Sequence, residues 1–321
     1  MEKSDSQKFI KAYKGFEKNL QCRGFQYEIG KRYSISGDIK LCEKGFHACE
    51  FPMDAFYFYD MFHSRFCEVK LSGKIYRDDD IVKACASKIK IVKELTLREM
   101  IMLSINMLNE YELPIVLSGR IKDVDAQENS NIELKDRYAK IVSMGNYACI
   151  TSRSFCGSRI GSSGHMAQIN TIGNCASIGS SGHYATIHSS GDCSSIGSSG
   201  DSAKIFSSGN EAKIGSIGKY ASIYSGGSRA SIASFGDHAN IVSNGTYAEV
   251  QSSGNNCFVC CSGIGSKVKA EVGSWMTLSE YKLSEDRHNY DLVCIKTEYV
   301  DGCRIKANTW YKLVGGEFAE A

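Results

Sequence analysis

Residues 160–207 read IGSSGHMAQINTIGNCASIGSSGHYATIHSSGDCSSIGSSGDSAKIFS, and this stretch decides the fold. It repeats every nine residues as a glycine, two variable residues and then the pattern Ala-x-Ile-x-Ser-x-Gly. A period kept from about residue 137 to residue 273 is typical of repeat proteins, in which each unit stacks on its neighbours. The aliphatic anchors of the repeat are Ile160, Ile169, Ile178, Ile187, Ile196, Ile205, Ile214, Ile223, Ile232 and Ile241, continued by Val250, Val259 and Val268.

The alternation of small, β-branched and small residues predicts one short strand per repeat, with the anchor facing inward. We expect the glycine to supply a positive φ or a close backbone approach at each corner. We also expect the inward serine hydroxyls to bond to corner backbone groups that would otherwise lack partners. Because a nine-residue unit cannot bury its own apolar face, the strands should stack into a β-solenoid around a ladder of isoleucines.

The residue after each anchor indicates how many strands make one coil. It alternates between a small residue, such as Gly179, and a larger one, such as His188 or Phe206. This period of 18 predicts two strands per coil and a flattened roll of two sheets, in which about seven or eight coils would span roughly 35 Å. Calcium-binding toxin repeats share the nonapeptide period but need an aspartate in every unit. Aspartates such as Asp192 are scattered here, so we expect neither calcium nor a cofactor.

The outward positions of the two predicted sheets differ in chemistry. One sheet carries aromatic residues, histidine and methionine with a single lysine, whereas the other carries mostly cysteine, serine and glycine. An exposed aromatic patch with few charges indicates a surface that binds another protein or a second copy of the chain. The alternative is that the rings only stabilise neighbouring strands, or that a flanking domain covers them. The predicted binding residues are Met166, Tyr184, His188, Lys204, Phe206, Tyr220, Tyr224, His238 and Val242.

The segment before the repeat is not periodic, and it predicts a small α+β domain over residues 1–120. A helix is expected from about Pro52 to Phe62, because proline suits the first helical turn. Thr96 and Glu99 form a capping box, which predicts a second helix over about 97–111. Residues 121–136 should be a linker and cap, and residues 137–273 the solenoid. Residues 274–321 should close it as a C-terminal β cap with turns at 301–302 and 315–316.

Three segments of this N-terminal region carry a resemblance. They are YKGF at 13–16, CRGFQYEIGKRY at 22–33 and GFHACEFPMDAFYFY at 45–59. Over roughly residues 11–95 the chain resembles an uncharacterised domain family of phage and prophage proteins, in which the domain often precedes Gly/Ser/Ala-rich repeats. The resemblance implies a phage origin and a bacterial host cell. It implies no activity, because no chemistry is assigned to the family.

His47, Cys49 and Glu50 lie together in the sequence GFHACE and are the candidates for chemistry in this domain. A Cys–His nucleophile or a zinc site is conceivable there. In a strand, however, His47 and Cys49 share one face while Glu50 lies opposite, and no third orienting group can be named. Buried cysteines and hydrogen-bonded core histidines are commoner. We therefore expect neither a catalytic residue nor a metal site.

Composition and charge narrow the classes of function. The chain has 38 Lys and Arg against 36 Asp and Glu, and this net charge of +2 disfavours a nucleic-acid binder. No apolar run could span a membrane and no export signal is visible, so fourteen cysteines indicate free thiols in the cytoplasm. We expect a non-enzymatic protein-binding protein of phage origin, for example an inhibitor of a bacterial immune complex such as a CRISPR effector.

Two alternatives to this function remain. The first is an enzyme that acts through His47, Cys49 and Glu50, with the solenoid as an oligomerisation or docking arm. The second, within the binding interpretation, is a homodimer formed through the aromatic side of the solenoid.

Overall fold

The computed structural model of the chain describes residues 9–78, 81–109, 121–125, 128–135, 140–154, 157–285 and 287–321. These residues form two compact units. The first unit comprises the described residues up to Met107, and the second comprises those from Leu108 onward. The elements before the solenoid are β1 (Ile10–Phe16), β2 (Gln21–Cys22), β3 (Phe25–Gln26), β4 (Arg32–Ser34), β5 (Phe46–Ala48), a 3₁₀ helix (Pro52–Tyr57), β6 (Arg65–Asp78), β7 (Ile81–Leu95) and α1 (Leu97–Asn109).

The first unit is built on a five-stranded antiparallel sheet. Its centre is the long hairpin of β6 and β7, which the alternating sequence of this stretch predicts. Strand β1 lies beside β6, while β4 and β5 both pair with β7. The inner face of the sheet is apolar, and Phe16, Leu71 and Ile91 are buried on it.

The two predicted helices have different outcomes. The capping box is confirmed, since the Glu99 N–H donates to Thr96 Oγ1 and the Thr96 N–H donates to Glu99 Oε2. The helix expected from Pro52 to Phe62 is instead a 3₁₀ helix that ends at Tyr57. The Asp60 carboxylate accepts the N–H groups of Phe62 and His63 at 2.8 and 2.7 Å. This local turn offers the backbone an alternative to helical hydrogen bonds, so the helix stops before it.

The second unit is a β-solenoid of about eight coils with two strands per coil, as predicted. Within the repeat each strand pairs in parallel with the strand one coil away, so that Ile178 lies between Ile160 and Ile196. One sheet contains β8 (Ile121–Asp125), β10 (Lys140–Ser143), β12 (Arg159–Ser162), β14 (Ser177–Ser180), β16 (Ser195–Ser198), β18 (Lys213–Ser216), β20 (Ser231–Ser234), β22 (Glu249–Ser252), β24 (Lys267–Lys269), β27 (Tyr311–Val314) and β28 (Glu317–Glu320). The other contains β9 (Asn131–Leu134), β11 (Cys149–Ser152), β13 (Gln168–Thr171), β15 (Thr186–Ser189), β17 (Lys204–Ser207), β19 (Ser222–Ser225), β21 (Asn240–Ser243), β23 (Phe258–Cys261), β25 (Trp275–Leu283) and β26 (Tyr290–Tyr299).

The aliphatic anchors form the core between the two sheets. All of them, from Ile160 to Val268, are fully buried. Each buried isoleucine contributes about 2 kcal/mol relative to an exposed one. The ladder therefore supplies most of the apolar stabilisation of a unit whose other inward residues are alanine and serine.

Corner geometry corrects one expectation. The positive φ falls on the second residue after the glycine rather than on the glycine itself, as at Tyr184, where φ is 58°. Glycine is required at 182 because a Cβ there would lie 1.9 Å from the carbonyl oxygen of Gly164 in the preceding coil. Of the two roles that the sequence left open for the repeat glycine, close backbone approach is the correct one, and the positive φ is wrong.

The inward hydroxyls correct a second expectation in part. Most of those that follow an anchor do not bond to the corner backbone, whereas Ser194 and Ser266 donate to the carbonyls of Gly191 and Gly245. The corner N–H groups bond from coil to coil instead, as where the Cys193 N–H donates to the Asn210 carbonyl at 2.7 Å. An exception is Ser189, whose hydroxyl donates to Ser194 Oγ, which in turn donates to the Gly191 carbonyl at 2.9 Å. Within the described part of the solenoid, the hydroxyls that follow an anchor and have no protein partner within hydrogen-bond distance are those of Ser162, Ser180, Ser198, Ser207, Ser216, Ser225, Ser234, Ser243 and Ser252.

Both ends of the solenoid continue its sheets. At one end, β9 pairs in register with β11, so the sheets begin before the nonapeptide pattern is recognisable. At the other, β25 adds to β23 in parallel and then pairs with the antiparallel β26. The hairpin of β27 and β28 turns at Gly315 and Gly316, both with positive φ, as the Gly-Gly pair predicts. These antiparallel strands extend the two sheets beyond the last parallel coil.

Candidate functional site

All the predicted binding residues of the solenoid except Lys204 fall into two separate columns. We call the first the ring column; it stands on the outer face of the ten-stranded sheet, one residue per coil. Each member pairs in register with the next, since His188 lies opposite Phe206 and Phe206 lies opposite Tyr224. Lys204 is exposed at the start of the same strand as Phe206. The members of the ring column are Asn170, His188, Phe206, Tyr224 and Val242.

Three rings of this column are stacked nearly parallel. The ring centroids of His188 and Phe206 are 4.6 Å apart with planes 6° apart, and those of Phe206 and Tyr224 are 5.1 Å apart with planes 7° apart. The spacing matches the distance between paired strands, so the rings stack because the coils do. The ring faces contact one another, and the ring edges remain accessible.

The second column, which we call the corner column, lies at the turns that precede the same strands. The sequence analysis placed four of its members on the sheet itself, and this placement is wrong. Their φ angles of 54–58° take them out of the pleat, in which side chains alternate between two faces. Tyr184 and Tyr220 are each 57% exposed, and Tyr220 stacks on His238 with centroids 5.1 Å apart. The members of the corner column are Tyr147, Met166, Tyr184, Ser202, Tyr220 and His238.

A groove of about 650 Å³ follows the ring column along the solenoid. It is lined by the ring column and by the residues that follow the same strands, which are mostly small or polar. These further lining residues are Ile172, Ser190, Ser208, Gly226 and Asn244. An elongated apolar groove beside aromatic edges can accommodate an extended peptide or a protein loop.

The charges near the two columns are few and largely paired. Near the corners, Lys219 lies 3.4 Å from Asp237, and His183 Nδ1 accepts the Asp201 N–H at 3.0 Å. The N–H of Asn255 and the neighbouring Lys219 together hold the pKa of Asp237 below its usual value. Phosphate backbones are recognised by several unpaired cations, and bases or sugar rings stack on open ring faces. The stacked rings of the ring column offer neither feature.

Sequence reasoning missed the role of the polar residue that follows the repeat glycine. The Asp192 carboxylate accepts the N–H of Asn210 at 2.7 Å, and Asp201 accepts that of Lys219 at 2.8 Å. Asp237 does the same for Asn255 at 3.0 Å. The signal was available, because asparagine or aspartate recurs at this place and both residues accept backbone hydrogen bonds at turns. These aspartates therefore cap the corner of the next coil through their carboxylates.

The first unit contains a second candidate site, a cavity of about 720 Å³. One wall is an aromatic cluster, in which the Tyr27 ring lies 4.8 Å from Phe25 and 5.1 Å from Tyr33, both edge to face. Burial of the hydroxyl raises the pKa of Tyr27 to about 12. The cavity therefore combines an apolar, aromatic lining with a small number of polar groups, as small-molecule sites do.

A lysine lies at the centre of these polar groups. Lys14 belongs to β1 and is only 5% exposed. Its Nζ donates to the Tyr59 hydroxyl at 2.9 Å and lies 3.4 Å from Cys22 Sγ. Burial lowers the pKa of Lys14, because the charged form is poorly solvated there. The sequence analysis did not single out Lys14, although a lone charge within the strand sequence AYKGF was a signal for it.

Of the three catalytic candidates from the sequence, the structure brings only two to the same cavity. His47 and Cys49 both line the cavity, as their shared strand face predicts. Glu50 instead pairs with Arg77 through two contacts of 2.7 and 3.1 Å. The His47 Nε2 accepts the Cys42 N–H at 2.9 Å, and the ring also bonds to the backbone of Gly45. Burial and the nearby Lys83 and Lys14 lower the pKa of His47. A histidine ring that is hydrogen-bonded to the backbone and has a lowered pKa is typical of a structural histidine.

Every cysteine that the structure describes is a free thiol, as the sequence predicts. Among the described residues, no helix is both long and apolar enough to cross a membrane.

Comparison with known proteins adds one finding. Residues 10–103 match a family described as a domain of unknown function, DUF7666. This match covers the first unit and leaves the solenoid outside it. A search of curated proteins found no match, and neither did a search of solved structures.

Proposed function

We propose that the protein is a non-enzymatic binding protein whose solenoid holds a protein partner against the ring column and the corner column. The observation that carries this proposal is the stack of His188, Phe206 and Tyr224, whose edges lie beside an open groove. Aromatic residues dominate the energetics of protein interfaces, because they bury a large area for the loss of few rotatable bonds. Stacking on neighbouring coils orders these rings before any partner arrives, which lowers the entropic cost of binding.

The resemblance of the N-terminal segment to phage proteins suggests which partner to test first. A phage-derived protein that acts in the cytoplasm of a bacterial host would meet the host's immune complexes. We propose that the solenoid blocks such a complex, for example a CRISPR effector, by occupying one of its protein surfaces. Cells carrying an active CRISPR system should then lose interference when they express the wild-type chain, and keep it when they express a variant with a disrupted ring column.

A matched pair of tyrosines provides a control for the corner-column part of the binding test. Tyr220 and Tyr247 are 57% and 55% exposed and share the same positive-φ corner conformation. Tyr220 belongs to the corner column, whereas Tyr247 precedes a strand of the opposite sheet. The tests compare wild type with the double variant Phe206→Asp/Tyr220→Asp and the control Tyr247→Asp, because aspartate tolerates this backbone conformation.

Two measurements on these proteins decide the proposal. Affinity capture from host lysate identifies a stoichiometric partner, and light scattering after size exclusion gives the mass of the assembly. We expect either a host protein or a second copy to be retained by wild type and Tyr247→Asp, and lost from the double variant. Equal capture and equal mass for all three proteins would contradict the proposal, as would a monomeric wild type that retains no protein.

The geometry supports the enzyme alternative less well. Glu50 is paired with Arg77 rather than aligned with His47, and the His47 ring is engaged by backbone. Nucleophilic catalysis needs a base in contact with the nucleophile and a third group that orients the base. If His47→Ala abolished the effect of the chain in host cells while partner capture persisted, the enzyme alternative would be favoured instead.

A further inference from the structure

The cavity of the first unit takes no part in the proposed protein binding by the solenoid. It is a pocket of about 720 Å³ within the sheet domain, large enough for a small molecule with one or two rings. The polar groups on its lining come from separate elements, since Lys14 lies on β1, Cys22 on β2 and Tyr59 just after the 3₁₀ helix. The fold therefore brings them together around a common space.

Lys14 is buried at this place, and no carboxylate of the described residues pairs with it. Its polar contacts are the hydroxyl of Tyr59 and the thiol of Cys22, and its Nζ lies 5.3 Å from the Phe16 ring centre and 5.4 Å from that of Tyr59. None of these groups is a strong counter-ion at neutral pH. The acidic residues on the lining, Glu17 and Glu43, are exposed, and Glu43 pairs with Lys40 at 2.6 Å. A buried ammonium group is costly unless an anion accompanies it.

Several charged side chains around Lys14 are positive, as Lys14 itself is. Arg23, Lys44 and Lys83 also line the cavity. Burial lowers the pKa of His47, and the positive charges of Lys83, Lys14 and Arg23 lower it further. A bound negative group would neutralise these charges and satisfy the Lys14 ammonium.

The aromatic part of the lining is suited to contact with the ring of a ligand. Edge-to-face contacts join Tyr27 to Phe25, Tyr33 and Phe46, and these rings form an apolar wall. We propose that this cavity binds a small organic anion with a planar ring, whose carboxylate or phosphate group contacts Lys14 and Tyr59 while its ring packs on the aromatic wall. The site gives the first unit a ligand-binding role that is independent of the solenoid.

The test uses the full chain and three small molecules that share one naphthalene ring system and differ in charge. 1-Naphthoate and 1-naphthyl phosphate carry the ring and an anion, and 1-naphthamide carries the ring without a charge. We expect calorimetry to show binding of at least one anion at micromolar to millimolar concentrations, at least about tenfold tighter than the amide. Lys14→Met should weaken anion binding by at least about tenfold and leave amide binding unchanged.

A matched control lies on the same strand. Lys11 is half exposed, pairs with Glu68 at 3.3 Å and does not line the cavity, so Lys11→Met should bind the anions as wild type does. If Lys14→Met does not fold, amine modification of wild type followed by peptide mapping replaces it, and the bound anion should protect Lys14 but not Lys11. The proposal is overturned if neither anion binds, if the amide binds as tightly, or if Lys14 is neither required nor protected.

Discussion

Gly227 packs directly against the backbone of Gly209, one coil before it. A Cβ on Gly227 would lie 1.9 Å from the Gly209 carbonyl oxygen and 2.4 Å from its carbonyl carbon. The adjacent Gly226 has no such contact, because a Cβ there would meet only the Asn244 side chain at 3.5 Å. Two neighbouring glycines of one corner therefore have opposite tolerances for a side chain.

The substitution Gly227→Ala should destabilise the solenoid by about 3 kcal/mol, since backbone atoms on both coils would have to move apart. Gly226→Ala should cause no loss and a gain of up to about 1 kcal/mol, because alanine restricts the unfolded chain. Urea denaturation followed by circular dichroism measures both variants. Equal midpoints for the two would show that the close approach does not hold the coils in place.

Buried serines provide a second test. The Ser198 hydroxyl has no protein partner, whereas the Ser194 hydroxyl bonds to both Ser189 and the Gly191 carbonyl. Ser198→Ala should be neutral or stabilising, because it removes a buried polar group that makes no protein hydrogen bond. Ser194→Ala should cost about 1 kcal/mol, since it leaves the Ser189 hydroxyl without its acceptor.

Both serine variants remove one oxygen atom from the solenoid interior, so their difference in unfolding free energy isolates the hydrogen bonds. Thermal unfolding at one pH and one protein concentration is sufficient to rank them. A larger loss for Ser198→Ala than for Ser194→Ala would indicate that the orphaned hydroxyls contribute to stability.

Acid should loosen the C-terminal hairpin. The Glu280 carboxylate accepts the N–H groups of Gly316 and Gly315 at 2.7 and 2.8 Å, and these bonds hold its pKa below the usual 4.5. A carboxyl with a lower pKa in the folded state contributes stability above its unfolded pKa. That contribution is lost as the pH falls through the folded pKa. We therefore expect the hydrogen-exchange protection factors of residues 311–320, which compare each rate with that of an unstructured amide at the same pH, to fall below about pH 4.5.

Glu280→Gln should lower the protection factors of this hairpin already at pH 7, with little further change in them on acidification. The control is Glu320→Gln in the same hairpin, where the carboxylate pairs with the exposed Lys306 and such surface pairs contribute little. Unchanged exchange in Glu280→Gln at pH 7 would show that the two glycine N–H groups do not need this acceptor.

The two candidate sites were predictable to different degrees. His188, Phe206 and Tyr224 could be placed together from sequence, because residues 18 apart must lie in register once the coil period is known. Tyr184 and Tyr220 were assigned to the sheet because a non-glycine residue with positive φ is uncommon, and no local pattern revealed it. In the first unit, Lys14 meets Cys22 and Tyr59 across 8 and 45 positions of a chain without a period. His47 and Glu50 are close in sequence, which suggested a joint catalytic site, but their side chains lie apart in the sheet.

By itself the sequence determined the two-stranded coil and its buried aliphatic spine, since a strict period leaves one way to bury the same side chain in every unit. Only the tertiary structure decided which corner residue takes the left-handed conformation, which hydroxyls go without partners and which cation lies within the sheet domain. Those outcomes depend on distances between atoms of neighbouring coils or of remote strands, and no local pattern of residues encodes such distances.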